Sequence, residues 1–296
     1  MRTAIVAVDL GGTHVSAGLV QGGGAAAAVA GVRRLPLGAE PSAEDVLGAL
    51  ARAIGTVPAE ALVAVAVPGP FDYATGIALY TGVGKFEPLH GVDLGAELAG
   101  RLGISRERID FCNDADACGL GEALAGAGAG LRRVLCLTLG TGVGSAYLED
   151  GRALDDDPRV PPGGDAHVLL IDGAPLEDSV SRRALRREYE RRTGRLLDVR
   201  EIAEQVRSGD EAAALTLARS TDALGRALAP WIASFDPEAI VVGGSIARSW
   251  DLLGPLLGAA FPGRDVRPAL LGDDAPLLGA AAHAVDAWRR SSAPLA

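Results

Sequence analysis

Along this chain, unbroken apolar runs of five or six residues alternate with stretches whose apolar positions recur every three or four residues. That pattern predicts strands interleaved with helices. Ala4-Ile5-Val6-Ala7-Val8 enters a glycine turn, Asp9-Leu-Gly-Gly-Thr13, and residues 15–20 leave it as a second strand. Residues 134–138 and 145–148 repeat the arrangement around Leu139-Gly-Thr-Gly-Val-Gly144. Ser42-Ala-Glu-Asp45 predicts a helix start with Ser42 as N-cap and Asp45 in the capping-box position, and Val46, Leu47, Leu50 and Ile54 form its apolar face. Residues 62–67 read as a buried strand that stops at the stiff turn Pro68-Gly-Pro70. Further on, the pattern predicts a helix over 92–102, a strand over 108–112, a helix over about 114–124 and a flexible Gly/Ala link over 125–130. A loop over 155–165 precedes helices over 178–192, 199–207 and 210–235, a strand over 239–242, a last helix over about 276–290 and a frayed tail from 291.

The two glycine turns are the first candidates for chemistry. Gly11, Gly12, Gly140 and Gly142 let backbone N–H groups approach an anion closely, and Thr13 and Thr141 can each add a hydroxyl. Either turn alone also reads as an ordinary hairpin. As a matched pair they suggest one unit used twice, with a phosphate-bearing nucleotide between the copies. No Gly-x-x-x-x-Gly-Lys-Ser/Thr string occurs and neither turn fits Gly-x-Gly-x-x-Gly, which removes the P-loop and Rossmann readings. Asn113-Asp114 closes one predicted strand and opens a helix, where ligand clefts of α/β sheets tend to lie. Asp114 there can take the proton of an attacking hydroxyl while Asn113 hydrogen-bonds a neighbouring one. The same two residues are also ordinary helix N-caps.

With these motifs in order, the chain resembles the actin, hexokinase and Hsp70 superfamily over roughly residues 4–285, and within it the ROK family of bacterial sugar kinases and repressors. Asp9-Leu-Gly-Gly-Thr13 is similar to the family's first phosphate motif and residues 139–144 to the second. Ile240-Val-Val-Gly-Gly-Ser245, with Gly243 and Gly244, resembles its adenosine-side turn. The resemblance implies an α/β fold of two duplicated ribonuclease-H-like, actin-like ATPase domains with an interdomain cleft. The smaller N-terminal domain would span 1–112, joined by the helix at about 276–290, and the larger would span 113–275. It also implies ATP and Mg²⁺ as cofactors, Asp9 reaching the metal through water, Asp114 as general base, a sugar or polyol as partner, and a homodimer.

On the acceptor side the resemblance is partial. Gly164-Asp-Ala-His167 stands where the family carries Glu-x-Gly-His, and Glu177 where a glutamate opens a helix. His167 and Glu177 are thus implied hydroxyl ligands, with Asp165 as the stand-in carboxylate and Gly69 in the Pro68–Pro70 turn beside them. The family's cysteine cluster is missing, so no structural zinc is expected. One of the 28 basic residues is a lysine, Lys85, in the segment that matches the family's sugar-contacting loop; a compact ammonium there can touch the acceptor or the moving phosphate. A solvated loop lysine fits the same residue. Glucokinase-like phosphorylation of a hexose is the leading expectation, with mannose, fructose, an amino sugar or a cyclitol as other acceptors. A non-catalytic sugar sensor is the competing class; the helix-turn-helix that the family's repressors carry ahead of the first motif is not expected in the eight residues before Asp9, and Asp9, both glycine turns and Asn113-Asp114 together in one chain favour the enzyme.

Composition narrows the picture further. A net charge of −10 and a pI near 4.9 leave no basic stripe for nucleic acid. Cys112, Cys118 and Cys136, an odd number in apolar surroundings, read as small core residues of a reducing compartment. No run reaches membrane-spanning length and Asp9 interrupts the first apolar segment, so a soluble cytoplasmic protein is expected. His14 reads as a packing or surface residue, and the arginines at 182, 183, 186, 187, 191 and 192, interleaved with Glu188 and Glu190, as a solvated helix face.

Overall fold

The computed structural model describes residues 4–83 and 86–292. The first glycine turn joins β1 (Ile5–Leu10) to β2 (His14–Gln21), antiparallel with Leu10 opposite Val15. β3 (Ala28–Pro36) pairs with the outer edge of β2, and helix α1 (Ala43–Ile54) carries the chain back to β4 (Leu62–Val67), parallel to β1. A small hairpin, β5 (Phe71–Asp72) and β6 (Ile77–Ala78), and helix α2 (Leu94–Leu102) precede β7 (Ile109–Asn113), parallel to β4, and helix α3 (Asp114–Ala125). The sheet order is β3-β2-β1-β4-β7.

This sheet has two different faces, because side chains alternate across a strand. Val6, Val8 and Leu10 with Val63, Val65 and Val67 form a core with Val46, Leu47, Leu50 and Ile54 of α1. Each such side chain contributes roughly 1.5–3 kcal/mol when fully buried. The expected capping box starts α1: the Ser42 hydroxyl accepts from the Asp45 N–H at 3.1 Å and Asp45 accepts from the Ser42 N–H at 3.0 Å. On the opposite face the residues are small: Ala7 is in register with Ala64, and Asp9 with Ala66. That face is covered by the C-terminal helix Ala275–Ser292, which packs along β1 and β4 and against α3. The two helices approach so closely that a Cβ on Gly279 would overlap the Ala117 carbonyl and one on Gly121 the Ala275 carbonyl.

The second sheet repeats this plan. β8 (Arg133–Leu139) and β9 (Val143–Glu149) flank the second glycine turn, and β10 (Arg152–Ala153) extends the antiparallel edge. A short hairpin, β11 (Leu170–Ile171) and β12 (Ala174–Pro175), leads into four helices, α4 (Glu177–Val180), α5 (Arg182–Thr193), α6 (Val199–Arg207) and α7 (Glu211–Phe235). β13 (Ala239–Gly243), helix α8 (Trp250–Ala260) and β14 (Val266–Pro268) complete the order β10-β9-β8-β13-β14, with β13 and β14 parallel to β8. Leu135, Leu137 and Tyr147 pack on Leu217, Leu224, Leu228 and Phe235 of α7 and on Leu253 and Leu257 of α8. Residues up to Ala125 together with those from Asp273 onward form one compact unit, and Gly126–Gly272 forms the other. Helix α3 therefore belongs with the first sheet, whereas the expected domain limit fell before it.

Several local expectations are corrected. The helix expected over 178–192 is two: the chain turns extended at Ser181, whose hydroxyl caps α5 by accepting from the Ala184 N–H at 3.2 Å. The Gly/Ala segment after α3 is a folded turn, with Ala127 buried and its carbonyl receiving the Arg267 guanidinium at 2.8 Å. Cys112 and Cys136 are buried as expected, while Cys118 is half-buried. The C-terminal helix runs through Ser292, past the point where fraying was expected. No helix among the described residues is long and apolar enough to cross a membrane.

Candidate active site

In the first unit, three loops meet at one end of the sheet because β1, β4 and β7 run parallel. Asp9 closes β1, Pro68-Gly69-Pro70 follows β4, and Asn113-Asp114 ends β7 and begins α3. Asp9 lies on the small-residue face, in register with Ala66, which in turn is in register with Cys112. Burial pushes the Asp9 carboxyl up to about 7; the carboxylates of Asp114 and Asp273 push in the same direction, and the Arg34 guanidinium opposes them. The Cys112 thiol is raised by its burial and then by the acids around it, Asp110 first. Concentrated negative charge on a buried face is therefore a property of this end of the sheet.

Asn113 bonds in two directions at once. Its carbonyl oxygen accepts the N–H groups of Ala115 at 2.8 Å and Asp116 at 3.1 Å, which caps α3, and its amide donates to the Tyr73 hydroxyl at 3.0 Å. Tyr73 donates onward to the Val67 carbonyl at 3.4 Å, and Tyr80 donates to the Pro68 carbonyl at 2.9 Å. Tyr73 thus ties the end of β4, just before the turn holding Gly69, to the residue preceding Asp114, and Tyr80 holds the turn itself. Of the two sequence readings of Asn113, the N-cap is the one observed. Behind it on β7, Asp110 pairs with His283 of the C-terminal helix at 2.7 Å, a contact that raises the His283 pKa.

The first glycine turn adds Gly11, Gly12 and Thr13. The Thr13 hydroxyl lies 3.0 Å from His14 Nδ1, which also lies 3.3 Å from the Arg34 guanidinium, and Arg34 pairs with Asp273 at 2.6 Å. His14, expected as a packing or surface residue, is part of this polar chain.

In the second unit the same strand order brings Gly140, Thr141 and Gly142 beside Gly243 and Gly244. The Ile246 N–H donates to the Leu139 carbonyl at 3.0 Å, and Gly244 has φ +89° with its α-carbon hydrogen packed onto the Leu139 backbone, so no side chain fits there. The Gly140 carbonyl accepts from the Arg182 N–H at the start of α5, and the Glu177 carboxylate lies against Gly142. His167 and Asp165 face each other at 3.5 Å in a loop pinned by buried Ser145, whose hydroxyl donates to the Gly164 carbonyl at 2.5 Å and accepts from the Ala166 N–H at 2.8 Å. Lys85 lies outside the described residues. Sequence reasoning missed Tyr73, Arg34, Asp273 and Ser145; of these only Asp273, an acid at a helix start, carried a local signal.

Two sheets of one strand order, each with a glycine hairpin between its first two strands and a second loop at the end of its next parallel strand, constitute the two-domain actin-like ATPase fold. Within that class the ROK family pattern matches residues 5–155 and 172–287, and the chain belongs to the ROK family. It is 32% identical over 316 residues to a glucokinase of Thermotoga maritima, covering 95% of this chain and 96% of that protein. The crystal structure of a ROK hexokinase from Thermus thermophilus superposes with a TM-score of 0.77 at 27% identity, covering 97% of this chain and 100% of that one. An inorganic polyphosphate/ATP-glucomannokinase from Arthrobacter sp. strain KM superposes with a TM-score of 0.69 at 28% identity, over 96% and 99% of the two chains.

Proposed function

We propose that this chain is an ATP-dependent sugar kinase that transfers the γ-phosphate to a hydroxyl of a hexose, with Asp114 as general base. The observation that carries the reading is the convergence of Asp9 and Asp114 at the ends of two parallel strands beside a glycine turn, in a chain of the ROK family. A loose phosphoryl-transfer transition state spreads charge over the equatorial oxygens, so positioning and charge balance outweigh the base itself. Backbone N–H groups of Gly11, Gly12 and Thr13, and those of Gly140, Thr141 and Gly142, supply donors for the phosphates. Gly243 and Gly244 form the turn on the nucleoside side. Asp114 takes the proton of the attacking hydroxyl, and Asn113, Gly69, His167 and Glu177 orient the sugar, with Lys85 on the acceptor or the moving phosphate.

The residues fit a divalent cation. Asp9 is a half-buried carboxyl raised to about 7 by desolvation and by two neighbouring acids, so a cation beside it would favour its ionised form. Among the described residues no three His, Cys, Asp or Glu side chains form a cage for a metal ion. Mg²⁺ keeps most of its waters and takes one or two carboxylates, a role Asp9 could fill through water; it would neutralise charge on the phosphates.

Coupled ADP release from the purified protein with ATP as donor, and sugar-phosphate formation with polyphosphate as donor, test the reading across hexoses, amino sugars and cyclitols. Hexose-dependent turnover that disappears in Asp114→Asn is the expected result. A sugar that binds without turnover, with Asp114→Asn indistinguishable from wild type, would instead identify a sensor.

A further inference from the structure

One buried hydroxyl in the second unit holds both peptide groups of a single acidic residue. Asp165 is the junction between two one-turn helices, Pro162–Gly164 and Ala166–Val168, and its own backbone is extended, with φ −90° and ψ 108°. Peptides are planar, so such a junction turns on its two torsions unless something outside it fixes the flanking peptides. Ser145 does so: its hydroxyl donates to the Gly164 carbonyl at 2.5 Å and accepts from the Ala166 N–H at 2.8 Å. The first bond fixes the peptide that enters Asp165, and the second fixes the peptide that leaves it. Ser145, Gly164 and Ala166 are all buried, and hydrogen bonds are stronger out of water.

The surroundings make Asp165 the residue that this grip serves. Gly164 has φ +70°, and a Cβ there would stand 2.9 Å from the Leu154 carbonyl oxygen, so no side chain fits at 164. The Asp165 carboxylate lies along Gly163, where a Cβ would stand 3.1 Å from Oδ2, and 3.5 Å from His167 Nδ1. The Asp165 and His167 side chains are 39% and 47% exposed, so a pair open to solvent stands on backbone that is not. Ser145 itself lies in β9 opposite Leu137 of β8, just past the second glycine turn. That turn is fastened separately: the Gly140 N–H donates to the Gly142 carbonyl, and the Gly140 carbonyl accepts from the Arg182 N–H.

We propose that Ser145 is a positioning residue for the acceptor, holding the Asp165–His167 pair in place by fixing the two peptides around Asp165. It sets how tightly a sugar binds and leaves nucleotide binding alone. The inference rests on the reading of residues 164–167 as the acceptor loop of a sugar kinase. Asp165 touches the sugar, and Ser145 acts only through it.

Steady-state kinetics with ATP and glucose, or mannose where glucose gives no turnover, test this in Ser145→Ala, Ser145→Thr and Asp165→Ala. Ser145→Ala should raise the sugar KM about tenfold, the size of one or two lost hydrogen bonds, with kcat within about threefold of wild type. Its affinity for the ATP analogue AMPPNP, by calorimetry, should be unchanged. Ser145→Thr keeps the hydroxyl and should recover most of the loss. Added to Asp165→Ala, Ser145→Ala should cost little more, because the two act in series; a serine that only supported the fold would add its full effect. Additive losses, or equal weakening of sugar and AMPPNP, overturn the proposal. Amide hydrogen exchange on wild type needs no variant to fold: the Ala166 N–H should exchange far more slowly than an exposed loop amide, and exchange at the loop rate overturns the grip. Asp165→Ala at the wild-type sugar KM overturns this inference alone, whereas a wild type with no hexose-dependent turnover overturns the kinase reading and the inference with it.

Discussion

Asp9 and Asp114 sit at the ends of strands β1 and β7 with their carboxylates near enough that Asp114, after burial itself, pushes the Asp9 pKa upward. The site therefore carries a penalty in the absence of a cation. A carboxyl moved from 3.8 to about 7 carries a penalty on the order of 4 kcal/mol when ionised. Because the folded value is raised, that penalty is fully present above pH 7 and is relieved as the pH falls from about 7 toward 4. Asp9→Asn should accordingly melt at a higher temperature than wild type at pH 8 without Mg²⁺ or nucleotide, with the gap closing toward pH 4, and should lose sugar phosphorylation. Thermal melts at several pH values, repeated with Mg²⁺ and AMPPNP, check this: saturating ligand should raise wild type more than the variant.

On the proposed function, Asp114 and its neighbour Asn113 divide the work between chemistry and structure. Asp114→Asn should reduce kcat by about a hundredfold to ten-thousandfold, the usual range for a general base, with sugar affinity by calorimetry close to wild type.

Asn113→Ala removes the cap of α3 and should cost about 0.5–2 kcal/mol in denaturant unfolding. Tyr73→Phe leaves that cap intact and removes the hydroxyl that accepts from the Asn113 amide. It should keep stability within about 1 kcal/mol of wild type and raise the sugar KM, since the amide loses its fixed orientation. Equal loss of stability in the two variants would contradict this division.

How far the site was legible in the sequence depends on how each residue reaches it. Asp9 and Asp114 stand in local signatures, an apolar strand followed at once by glycines or by a helix start. Strands β1 and β4 were readable because both of their faces are buried, which leaves unbroken apolar runs. Strand β3 is exposed along most of its length and alternates nothing, so neither the strand nor Arg34 within it announced itself. Arg34 reaches the site through register across two strands, which is not a sequence-local property. Helix α8 was missed because Gly254 and Pro255 interrupt its apolar pattern, and the break at Ser181 was hidden by polar residues on either side.

His283 and Asp110 provide a pH test remote from the glycine turns. The Asp110 carboxylate holds the His283 pKa above its ordinary 6.5, while burial and Arg290 oppose it. For a raised histidine the stabilisation is fully present below pH 6.5 and is lost as the pH rises through the folded value. His283→Gln should therefore be less stable than wild type at pH 6, and the difference should shrink by pH 9, as measured by urea unfolding at each pH.

Gly244→Ala places a methyl group on the Leu139 backbone at a φ of +89°. It should destabilise the second unit by more than about 1 kcal/mol and weaken AMPPNP binding while leaving the capping contacts of the first unit unchanged. Hydrogen exchange would localise the loss to the ends of β8 and β13.

The small-residue face of the first sheet carries an implication for synthesis on the ribosome. Ala7, Ala64 and Ala66 are sealed by a helix, residues 275–292, that follows the whole of the second unit in the sequence. While those codons remain untranslated, the earliest-made strands stay uncovered on that side, although the later-made unit already has every element it needs. A circular permutant opened at residue 272, which moves the sealing helix to the start of translation, would remove that delay and let the two halves mature in the order they emerge.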